Sequence, residues 1–417
     1  MPTATYHTLG CKVNQYETEQ IRLAMERAGF ETVGFGSVAD VYVINTCTVT
    51  AVADAKSRAA IRKARRMNPN ARVIVTGCLA QLEPDQIAAL DGIDLIVPNS
   101  QKDSIPALVA QALAAETNLK SSISNLQLRT RSLVKVQDGC DHFCAYCIVP
   151  YARPGMRSRP IGEVVEELRG LAEAGYREVV LAGIRLGSYN DDSLRLPGLI
   201  GLAAEIDGIE RIRLSSIEPW EVDDPLLDVM QHSKVCRHLH IPLQSGDDEI
   251  LGSMRRPYDS ASFERLVEKV RGRIDGIGVT TDVIVGLPGE TNAAFRNTAA
   301  LVERIGFSRL HVFRYSPRKP TRAAGMPGQV DPATKKARSD ELIELGKRGM
   351  RTFAESLVGR TVAVLVEREL RHVRRLLGYA DNYAEVLLAG DPVLKGRIVR
   401  VRITGVDQDG RAQGNAE

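Results

Sequence analysis

Apolar runs alternate with helical periodicity along the first 115 residues of the chain. Runs such as DVYVIN and RVIVT are rich in β-branched residues, and each is followed by apolar residues at helical spacing. The predicted strands cover residues 3–9, 40–45, 72–76 and 94–97, and the predicted helices cover residues 16–28, 52–66, 84–90 and 104–115. A repeated strand–helix order needs crossover connections, so it predicts a parallel, doubly wound α/β sheet.

A second strand–helix series follows residues 116–132, a polar stretch without periodicity that we interpret as a linker. Its predicted strands cover residues 133–137, 178–182, 211–215, 238–242, 280–285 and 309–313. Predicted helices at residues 162–174, 263–274 and 295–305 separate several of them. Six such units over about 200 residues are typical of a partial or complete β/α barrel.

The end of the chain changes character again. A predicted helix at residues 332–357 precedes three short β segments, at residues 361–367, 383–388 and 398–403, which predict a small all-β module. The predicted domains are an N-terminal domain (1–115), the linker (116–132), a barrel with its trailing helix (133–357) and the β module (358–417).

Composition places the chain among ordinary globular proteins. Of its 417 residues, 44% are hydrophobic, 26% charged and 5% aromatic. It has no apolar run of about 18 residues and no basic start followed by an apolar stretch, so we expect no membrane span, no signal peptide and a cytoplasmic location. Seven cysteines in such a chain favour metal ligands or catalytic thiols over disulfides.

Positive charge is concentrated in two segments. Residues 346–417 hold 13 Lys and Arg against 9 Asp and Glu, an excess larger than the net +3 of the whole chain. Residues 51–72 hold seven Lys and Arg against Asp54 alone, although a solvated helix face is the simpler interpretation there. Two basic surfaces suggest a polyanion such as RNA. The predicted RNA contacts are Arg368, Arg371, Arg374 and Arg375.

The strongest local motif is the loop GCDHFCAYC at residues 139–147. Its loop cysteine set, Cys140, Cys144 and Cys147, has the spacing C-x3-C-x2-C just beyond a predicted strand. Three thiolates on one loop can ligate three irons of an iron–sulfur cluster and leave the fourth iron open. Structural zinc needs four ligands, and His142 is the only nearby candidate, so we favour the cluster.

A second set of cysteines is dispersed along the N-terminal domain. Cys11, Cys47 and Cys78, the N-terminal cysteine set, each lie just past the carboxyl end of a successive predicted strand. Those ends share one edge of a doubly wound sheet, where ligands bind. We therefore predict a second cluster with an open iron, the alternative being three ordinary buried cysteines. Cys236 has no such partner and is interpreted as structural.

At these residues the sequence resembles the radical S-adenosylmethionine methylthiotransferases. Besides the cysteine loop, the matching motifs are TLGCKVNQ at residues 8–15, NTC at 45–47, TGC at 76–78, PLQSG at 242–246, DVIVGLPGE at 282–290 and YSPR at 315–318. They cover nearly the whole chain in the family's order. TLGCKVNQ and the LGSY at residues 186–189 look most like the branch that acts on N6-threonylcarbamoyladenosine beside the tRNA anticodon.

The resemblance implies a radical-SAM barrel followed by a C-terminal TRAM module, two 4Fe-4S clusters and S-adenosyl-L-methionine. It implies that the loop cluster binds S-adenosylmethionine and cleaves it to a radical, and that the N-terminal cluster supplies or carries sulfur. The implied reaction inserts sulfur at a C–H bond and adds a methyl group, converting the adenosine at position 37 to its 2-methylthio derivative. The implied partners are tRNA, an electron donor and a sulfur donor, with no membrane.

Four residues at the carboxyl ends of predicted barrel strands are predicted contacts of S-adenosylmethionine, because barrel enzymes build their sites there. They are Gly183, Ser215, Gln244 and Gly286. Each has the alternative of a turn glycine or a strand-end cap. Glu218 is predicted either to contact the cofactor or to cap a loop, and no catalytic acid or base is assignable from the sequence.

Two positions depart from the family pattern. Arg314 precedes Tyr315 where the family often has Pro, and Arg153-Pro154-Gly155 interrupts an Arg-Gly run. We expect neither to touch a cluster ligand.

Several alternatives stay open on the sequence alone. Within the family, the substrate could be isopentenyladenosine at position 37 of tRNA or an aspartate of a ribosomal protein. Outside it, the chain could be a non-catalytic RNA-binding iron–sulfur protein. A cobalamin-binding N-terminal domain would want a His ligand in a loop between strand and helix. His7, within the first predicted strand, is the only His before residue 142.

Overall fold

The structure is a computed structural model that describes residues 1–114, 130–192, 194–370 and 375–417. Most of the predicted linker lies outside the described residues, and so do Arg371 and Arg374 of the predicted RNA surface. In chain order, the described part forms a parallel sheet, an open barrel and a small closed barrel. None of its helices is long and apolar enough to cross a membrane.

The N-terminal domain is built on five parallel strands. They are β1 (Thr3–Thr8), β2 (Glu31–Thr32), β3 (Val41–Thr46), β4 (Arg72–Gly77) and β5 (Leu95–Val97). The helices are α1 (Lys12–Arg27), α2 (Ala51–Met67), α3 (Cys78–Leu82), α4 (Pro84–Ala88) and α5 (Ile105–Ala114). The sheet order is β2-β1-β3-β4-β5, with every neighbouring pair parallel.

Alternate residues of β3 pack on opposite faces of this sheet. Tyr42 and Ile44 lie in a buried cluster with Ile61 of α2, whereas Val41 and Val43 lie in another that includes residues of α1 and α5. Both faces are therefore covered by helices, which confirms the doubly wound prediction. Burial on two sides also explains why the strand is a continuous apolar run rather than an alternating one.

The central domain begins at Arg131, so Arg131 and Ser132 belong to a strand rather than to the predicted linker. Its strands are β6 (Arg131–Lys135), β7 (Gln137–Asp138), β8 (Arg157–Ser158), β9 (Glu178–Ala182), β10 (Asn190–Asp191), β11 (Leu194–Arg195), β12 (Arg211–Leu214), β13 (His238–His240), β14 (Gly278–Val285) and β15 (Arg309–Arg314). Its helices are α6 (Val149–Ala152), α7 (Ile161–Glu173), α8 (Leu196–Ala204), α9 (Asp224–Val229), α10 (Asp248–Ser253), α11 (Ser260–Arg273), α12 (Asn292–Ile305) and α13 (Pro332–Glu355).

Six of these strands form an incomplete β/α barrel. β6, β9 and β12 form one parallel sheet and β13, β14 and β15 another. Isolated parallel bridges, Ile212 to Val235 and Ser216 to His240, join the two sheets across β12 and β13. Among the described residues β15 does not pair with β6, so the barrel is partial and open at that side.

The C-terminal module is a closed five-stranded barrel. Its strands are β16 (Thr361–Leu370), β17 (Arg375–Ala380), β18 (Glu385–Ala389), β19 (Ile398–Val406) and β20 (Ala412–Ala416), in the order β16-β17-β18-β20-β19. The all-β prediction is confirmed, but its three segments omitted β17 and β20. The sequence of β20, AQGNA, has little strand propensity, and its conformation comes from pairing with β18 and β19 on either side.

This module covers the amino end of the open barrel. The Arg213 guanidinium donates to the carbonyls of Ala380 and Asp381, both at 3.1 Å, and Arg211 donates to the Tyr379 carbonyl at 3.2 Å. Glu178, which is fully buried, holds both arginines from the barrel side, with its carboxylate 2.8 Å from Arg213 Nε and 3.3 Å from Arg211 Nη1. One carboxylate thus organises the junction of the two domains.

We expect Glu178→Gln to lower the free energy of unfolding by about 3–5 kcal/mol, because it leaves two buried guanidinium groups without their carboxylate. Urea titration would measure the change. Glu210→Gln is the matched control, since the pair of Glu210 with Arg177 is about half exposed (50% and 49%) and should cost at most about 1 kcal/mol. Equal losses in the two variants would contradict this role of Glu178.

Candidate cluster sites on a shared cavity

The N-terminal cysteine set gathers at the carboxyl edge of the parallel sheet. Cys11 caps the start of α1, and Cys78 is the first residue of α3. Gly77 has φ +99°, and a side chain there would bring a Cβ atom within 2.3 Å of the Thr46 carbonyl oxygen, so only glycine permits this turn. Helix N-termini favour thiolates, which are the form of cysteine that binds iron.

The three sulfurs lie near one another. Burial raises the pKa of the Cys47 thiol to about 11, and the neighbouring Cys78 and Cys11 sulfurs raise it as well. Cys47 and Cys78 are each 5% exposed, whereas Cys11 is exposed. The structure therefore brings together three cysteines that are 31 to 36 residues apart in sequence, with one of them open to solvent.

The loop cysteine set is held by local backbone hydrogen bonds. Cys144 N donates to the His142 carbonyl at 2.9 Å, and Cys147 N donates to the Cys144 carbonyl at 3.0 Å. Burial raises the pKa of the Cys147 thiol to about 12, and the nearby Cys144 and Cys140 sulfurs raise it further. The loop thus places its three sulfurs on one side of a tight turn.

Arg256 makes Cys144 the most acidic thiol of the loop. Burial raises the pKa of Cys144, but hydrogen bonds from His142 and Arg256 more than offset it and hold that pKa below the ordinary value. Arg256 Nη1 lies 3.4 Å from Cys144 Sγ, and the same guanidinium pairs with Glu218. Glu218 also donates its backbone N–H to Glu221 at 3.4 Å, so it pairs with a buried arginine and begins a short helical turn.

Neither cysteine set suits a single metal ion. Among the described residues, the one group of three or more candidate ligands whose atoms all lie within 4.8 Å is His240, Asp282 and His311. A tetrahedral zinc would hold its sulfurs about 3.8 Å apart. His142 Nε2 is also bonded to the Arg255 carbonyl, at 3.0 Å. In each cysteine set at least two sulfurs are therefore more than 4.8 Å apart, which is too far for one zinc ion but agrees with the larger frame of an iron–sulfur cluster.

A cavity lies between the N-terminal domain and the barrel, and we call it the central cavity. It has a volume of about 190 Å³ and is lined by Cys147 and Gln244 of the barrel and by Val49 and Thr50, which follow Cys47. At its rim, Ala51 N of the N-terminal domain donates to Ser316 Oγ of the barrel at 3.0 Å. The carboxyl edge of the sheet therefore lies on the carboxyl end of the barrel.

A buried ion network fixes this arrangement. Glu17 of α1 accepts from Arg153 Nη2 at 2.7 Å and also pairs with Lys102 and with Lys135 of β6 at 3.1 Å. Arg153 reaches Asp138 at 2.7 Å as well. Glu17, Lys102 and Arg153 are 6%, 3% and 2% exposed. The network joins the N-terminal domain to the segment that carries the loop cysteines.

The expectation that Arg153 touches no cluster ligand is wrong. Its carbonyl accepts the backbone N–H of Cys140 at 3.4 Å, because the chain doubles back beneath the cysteine loop. Gly139 makes this approach possible, since a Cβ atom there would lie 1.6 Å from the Gly155 carbonyl oxygen. Arg314, the other departure, lines the central cavity.

The predicted S-adenosylmethionine contacts are only partly brought together. Gly183 N lies 3.4 Å from Ser215 Oγ. Gln244 has φ +64°, lines the central cavity and is 9% exposed, and its Oε1 has no hydrogen-bond partner among the described residues. Gly286 does not line this cavity, and its N–H is bound to Glu290 at 2.6 Å. Cys236 is buried beside Arg213 at the amino end of the barrel, apart from both cysteine sets.

Sequence reasoning missed several polar residues of this site. Arg256, Glu17 and Lys12 carry no spacing signal, because the groups that they meet are distant in sequence, such as the 38 residues between Arg256 and Glu218 and the 136 between Glu17 and Arg153. Lys12 was visible as part of TLGCKVNQ, but nothing in that motif indicates that its side chain reaches the barrel interior.

Known proteins match this chain over nearly its full length. Residues 3–98 match the family described as Uncharacterized protein family UPF0004, and residues 134–302 match the Radical SAM superfamily. The chain is 40% identical to the threonylcarbamoyladenosine tRNA methylthiotransferase MtaB of Bacillus subtilis (strain 168), covering 97% of this chain and 94% of that protein. It is 34% identical to the tRNA-2-methylthio-N(6)-dimethylallyladenosine synthase of Thermoanaerobacter sp. (strain X514), covering 96% and 90%.

The fold is shared with solved radical enzymes. The radical S-adenosylmethionine methyltransferase TsrM of Kitasatospora setae, solved with cobalamin and a [4Fe-4S] cluster, superposes with a TM-score of 0.59 at 15% identity, over 78% of this chain and 77% of that one. Fold and domain matches together define a radical S-adenosylmethionine enzyme. More narrowly, the chain belongs to the methylthiotransferase family, which confirms the resemblance seen in the sequence.

The Glu17 network yields a prediction about stability and pH. Burial raises the pKa of Glu17, but Lys102, Arg153 and Lys135 more than offset it and hold the pKa far below the ordinary value. We expect Glu17→Gln to cost about 3–5 kcal/mol of unfolding free energy near neutral pH. Folding lowers the pKa of Glu17, so the extra unfolding free energy of the parent over Glu17→Gln is fully present above the pKa of Glu17 in the unfolded chain, about 4.3. This difference is lost as the pH falls towards the pKa of Glu17 in the folded protein.

Urea titrations at several pH values would measure this difference. Glu19→Gln on the same helix is the matched control, since Glu19 is 31% exposed and pairs with Arg22 near the surface. A Glu17 effect no larger than the Glu19 effect, or one independent of pH down to about pH 3, would contradict the prediction.

Proposed function

We propose that the chain converts N6-threonylcarbamoyladenosine at position 37 of tRNA to its 2-methylthio derivative. The observation that carries the proposal is that the N-terminal domain and the barrel each bring three cysteines together, beside a cavity that lies between the two domains. The relatives named for threonylcarbamoyladenosine in Bacillus subtilis and Thermotoga maritima are 40% and 37% identical to the chain, and those named for dimethylallyladenosine are 34% identical. Isopentenyladenosine is therefore the second candidate, ahead of a ribosomal-protein aspartate.

Two other classes of protein, a non-catalytic RNA-binding protein and an enzyme with a cobalamin-binding domain, fit this chain less well. A non-catalytic RNA-binding protein does not fit membership of a transferase family. For a cobalamin domain, His7 would have to lie in a loop, but it lies within β1 and its ring stacks on Phe35 at 4.2 Å.

Each cysteine set fits a four-iron cluster with three protein ligands. We propose that Cys11, Cys47 and Cys78 hold one cluster and that Cys140, Cys144 and Cys147 hold the other. When bound, the clusters and S-adenosyl-L-methionine supply radical C–H chemistry and the sulfur and methyl groups, which no side chain of this site can supply. Among the chain's own residues, Arg256 stabilises the thiolate of Cys144, and the contact of Ala51 with Ser316 joins the two domains beside the cavity.

The proposed contacts of S-adenosylmethionine lie at the carboxyl ends of the barrel strands. We propose Gly183, Ser215 and Gln244 as contacts, of which Gln244 is the strongest because its buried Oε1 lacks a partner. Such an acceptor costs free energy until a donor reaches it. Gly286 contributes through its turn at φ +75°, since its N–H is already bound.

The proposed domain limits are 1–115, 133–357 and 358–417, with the start of the second domain moved to Arg131, where its first strand begins. The C-terminal barrel acts as the TRAM module that binds tRNA. An electron donor and a sulfur donor complete the proposed partners, and the proposed location is the cytoplasm, where tRNA is modified. Of the predicted RNA contacts, Arg368 is exposed on β16 and Arg375 is half-buried at the start of β17.

Cluster content and cluster role are tested together. Anaerobically reconstituted protein should hold about 8 irons per chain, and Cys11/Cys47/Cys78→Ala should hold about half. That variant should still cleave S-adenosylmethionine reductively yet form no methylthio product. The reciprocal Cys140/Cys144/Cys147→Ala variant should lose both cleavage and product, whereas Cys236→Ala should leave the iron count unchanged.

Circular dichroism and tRNA affinity must first show that each variant is folded, because metal binding and folding are coupled. A folded N-terminal variant with a full iron count, or one that still makes methylthioadenosine, would contradict the assignment.

The C-terminal module gives a separate prediction. Arg368→Gln/Arg375→Gln should weaken tRNA binding and flatten its salt dependence by about 0.7–0.9 per lost phosphate contact, without changing iron content. Arg296→Gln/Arg348→Gln is the matched control, with side chains 66% and 64% exposed on the central domain. Filter binding at several salt concentrations would measure both variants, and identical slopes would assign these arginines to the solvated surface.

A further inference from the structure

A second, larger cavity opens into the barrel interior from the side. This lateral cavity has a volume of about 600 Å³ and is lined by Lys12, Arg131 and Arg213 together with Val180 of β9 and Tyr383 of the C-terminal module. The charged groups that act on Lys12 are Arg131, Arg213, Asp282 and Glu178. Asp282 lines the central cavity, so Lys12 lines the lateral cavity and interacts electrostatically with a residue of the central one.

The arginines of the lateral cavity already have anionic partners. Arg213 binds Glu178 at 2.8 Å, and Arg131 binds Glu367 at 2.9 Å. Lys12 differs from them: within the described part of the chain, no carboxylate lies within 4.0 Å of its ammonium group. Lys12 is only partly exposed. A partly buried cation without a counter-ion has lost some of its hydration, and an incoming anion offsets that loss.

Three polar side chains near Lys12, those of His240, Asp282 and His311, offer hydrogen-bond donors and acceptors beside its positive charge. His240 Nε2 lies 3.2 Å from Asp282 Oδ1, and the ligand atoms of His240, Asp282 and His311 lie within 4.8 Å of one another. His240 Nδ1 is bonded to Thr280 Oγ1 at 2.9 Å, which fixes the ring. Asp282 can accept a hydrogen bond from a hydroxyl or N–H group, and a histidine can donate one.

We propose that Lys12 binds the carboxylate of the substituent on the target adenosine and that His240, Asp282 and His311 bind its hydroxyl and N–H groups. This inference rests on the proposed function and names the residues that select its substrate. On adenine, C2 and C6 both flank N1, so a base whose C2 faces the central cavity carries its N6 substituent into the adjoining space. The residue that follows the cluster cysteine Cys11 would thus recognise the substituent.

The chemistry discriminates between the two tRNA substrates. A threonylcarbamoyl group offers a carboxylate, a hydroxyl and N–H groups, whereas a dimethylallyl group offers none and would leave Lys12 without an anionic partner. Sites built to bind polar groups reject analogues that lack them far more strongly than apolar pockets reject polar isosteres. A divalent cation at His240, Asp282 and His311 is disfavoured by the ammonium group of Lys12 beside them.

The test uses anticodon stem–loop RNAs that carry threonylcarbamoyladenosine, its carboxylate methyl ester or dimethylallyladenosine at the same position. Fluorescence anisotropy with the reconstituted full chain measures each affinity. We expect the free carboxylate to bind about tenfold or more tightly than the ester. Lys12→Met should bring this ratio close to one by weakening only the free-carboxylate RNA, and Lys12→Arg should restore part of it.

Lys347→Met is the matched control, because it removes the same charge from a side chain that is 62% exposed, and it should keep the parent ratio. Iron content checks that the Lys12 variants keep both clusters. An unchanged ratio in Lys12→Met, or equal weakening for all three RNAs, would overturn the inference. So would a stoichiometric zinc or manganese ion that His311→Ala loses.

The experiments distinguish a failure of the proposed function from a failure of this inference about Lys12. If the parent forms no methylthio product on threonylcarbamoyladenosine RNA, the proposed function is wrong. If product forms but the ester binds as tightly as the acid, only the role of Lys12 is wrong.

Discussion

The buried Glu17 carboxylate is the interaction on which the arrangement of the molecule depends. It holds Lys102 of its own domain together with Lys135 and Arg153 of the barrel, and nearly all of this contact is hidden from water. Buried ion networks add little net stability, since desolvation offsets attraction, but they strongly penalise any arrangement that separates the partners. Glu17 therefore determines how the sheet sits on the barrel, and with it the relative position of the two cysteine sets.

Positive charges outnumber negative charges around Glu17, close to the N-terminal cysteine set. Three cations meet two carboxylates, Glu17 and Asp138, so the interface carries surplus positive charge close to the N-terminal cysteine set. Cys78 of that set is among the groups that interact electrostatically with Arg153. An anionic group held by the cysteines would find a favourable potential at this interface, whereas an apolar replacement would leave the cations uncompensated.

Much of the fold and of the site follows from the sequence by local rules. The strands of the N-terminal domain and the barrel are continuous apolar runs, and Cys11, Cys47 and Cys78 come together because parallel strands end at one edge. The features that local rules do not predict are those that depend on residues far away in the sequence. β20 is a strand only because two neighbours pair with it, and Arg153 is an interface residue only because α1 brings Glu17 to it. Lys12 likewise follows a helix cap in sequence, while the groups that surround it come from four barrel strands.

The coverage of the barrel at both ends has a consequence for how RNA reaches it. The N-terminal domain lies on the carboxyl end, and the residues around Tyr379 and Asp381 lie on the amino end. Within the described part of the chain, this leaves the side between β6 and β15, which do not pair, as the route of entry. An adenine that enters sideways must first leave its stack in the anticodon loop, at a cost of a few kcal/mol. A base that entered by this side would, together with its attached strand, obstruct the same opening. A small cofactor that used this opening would then have to bind before the RNA.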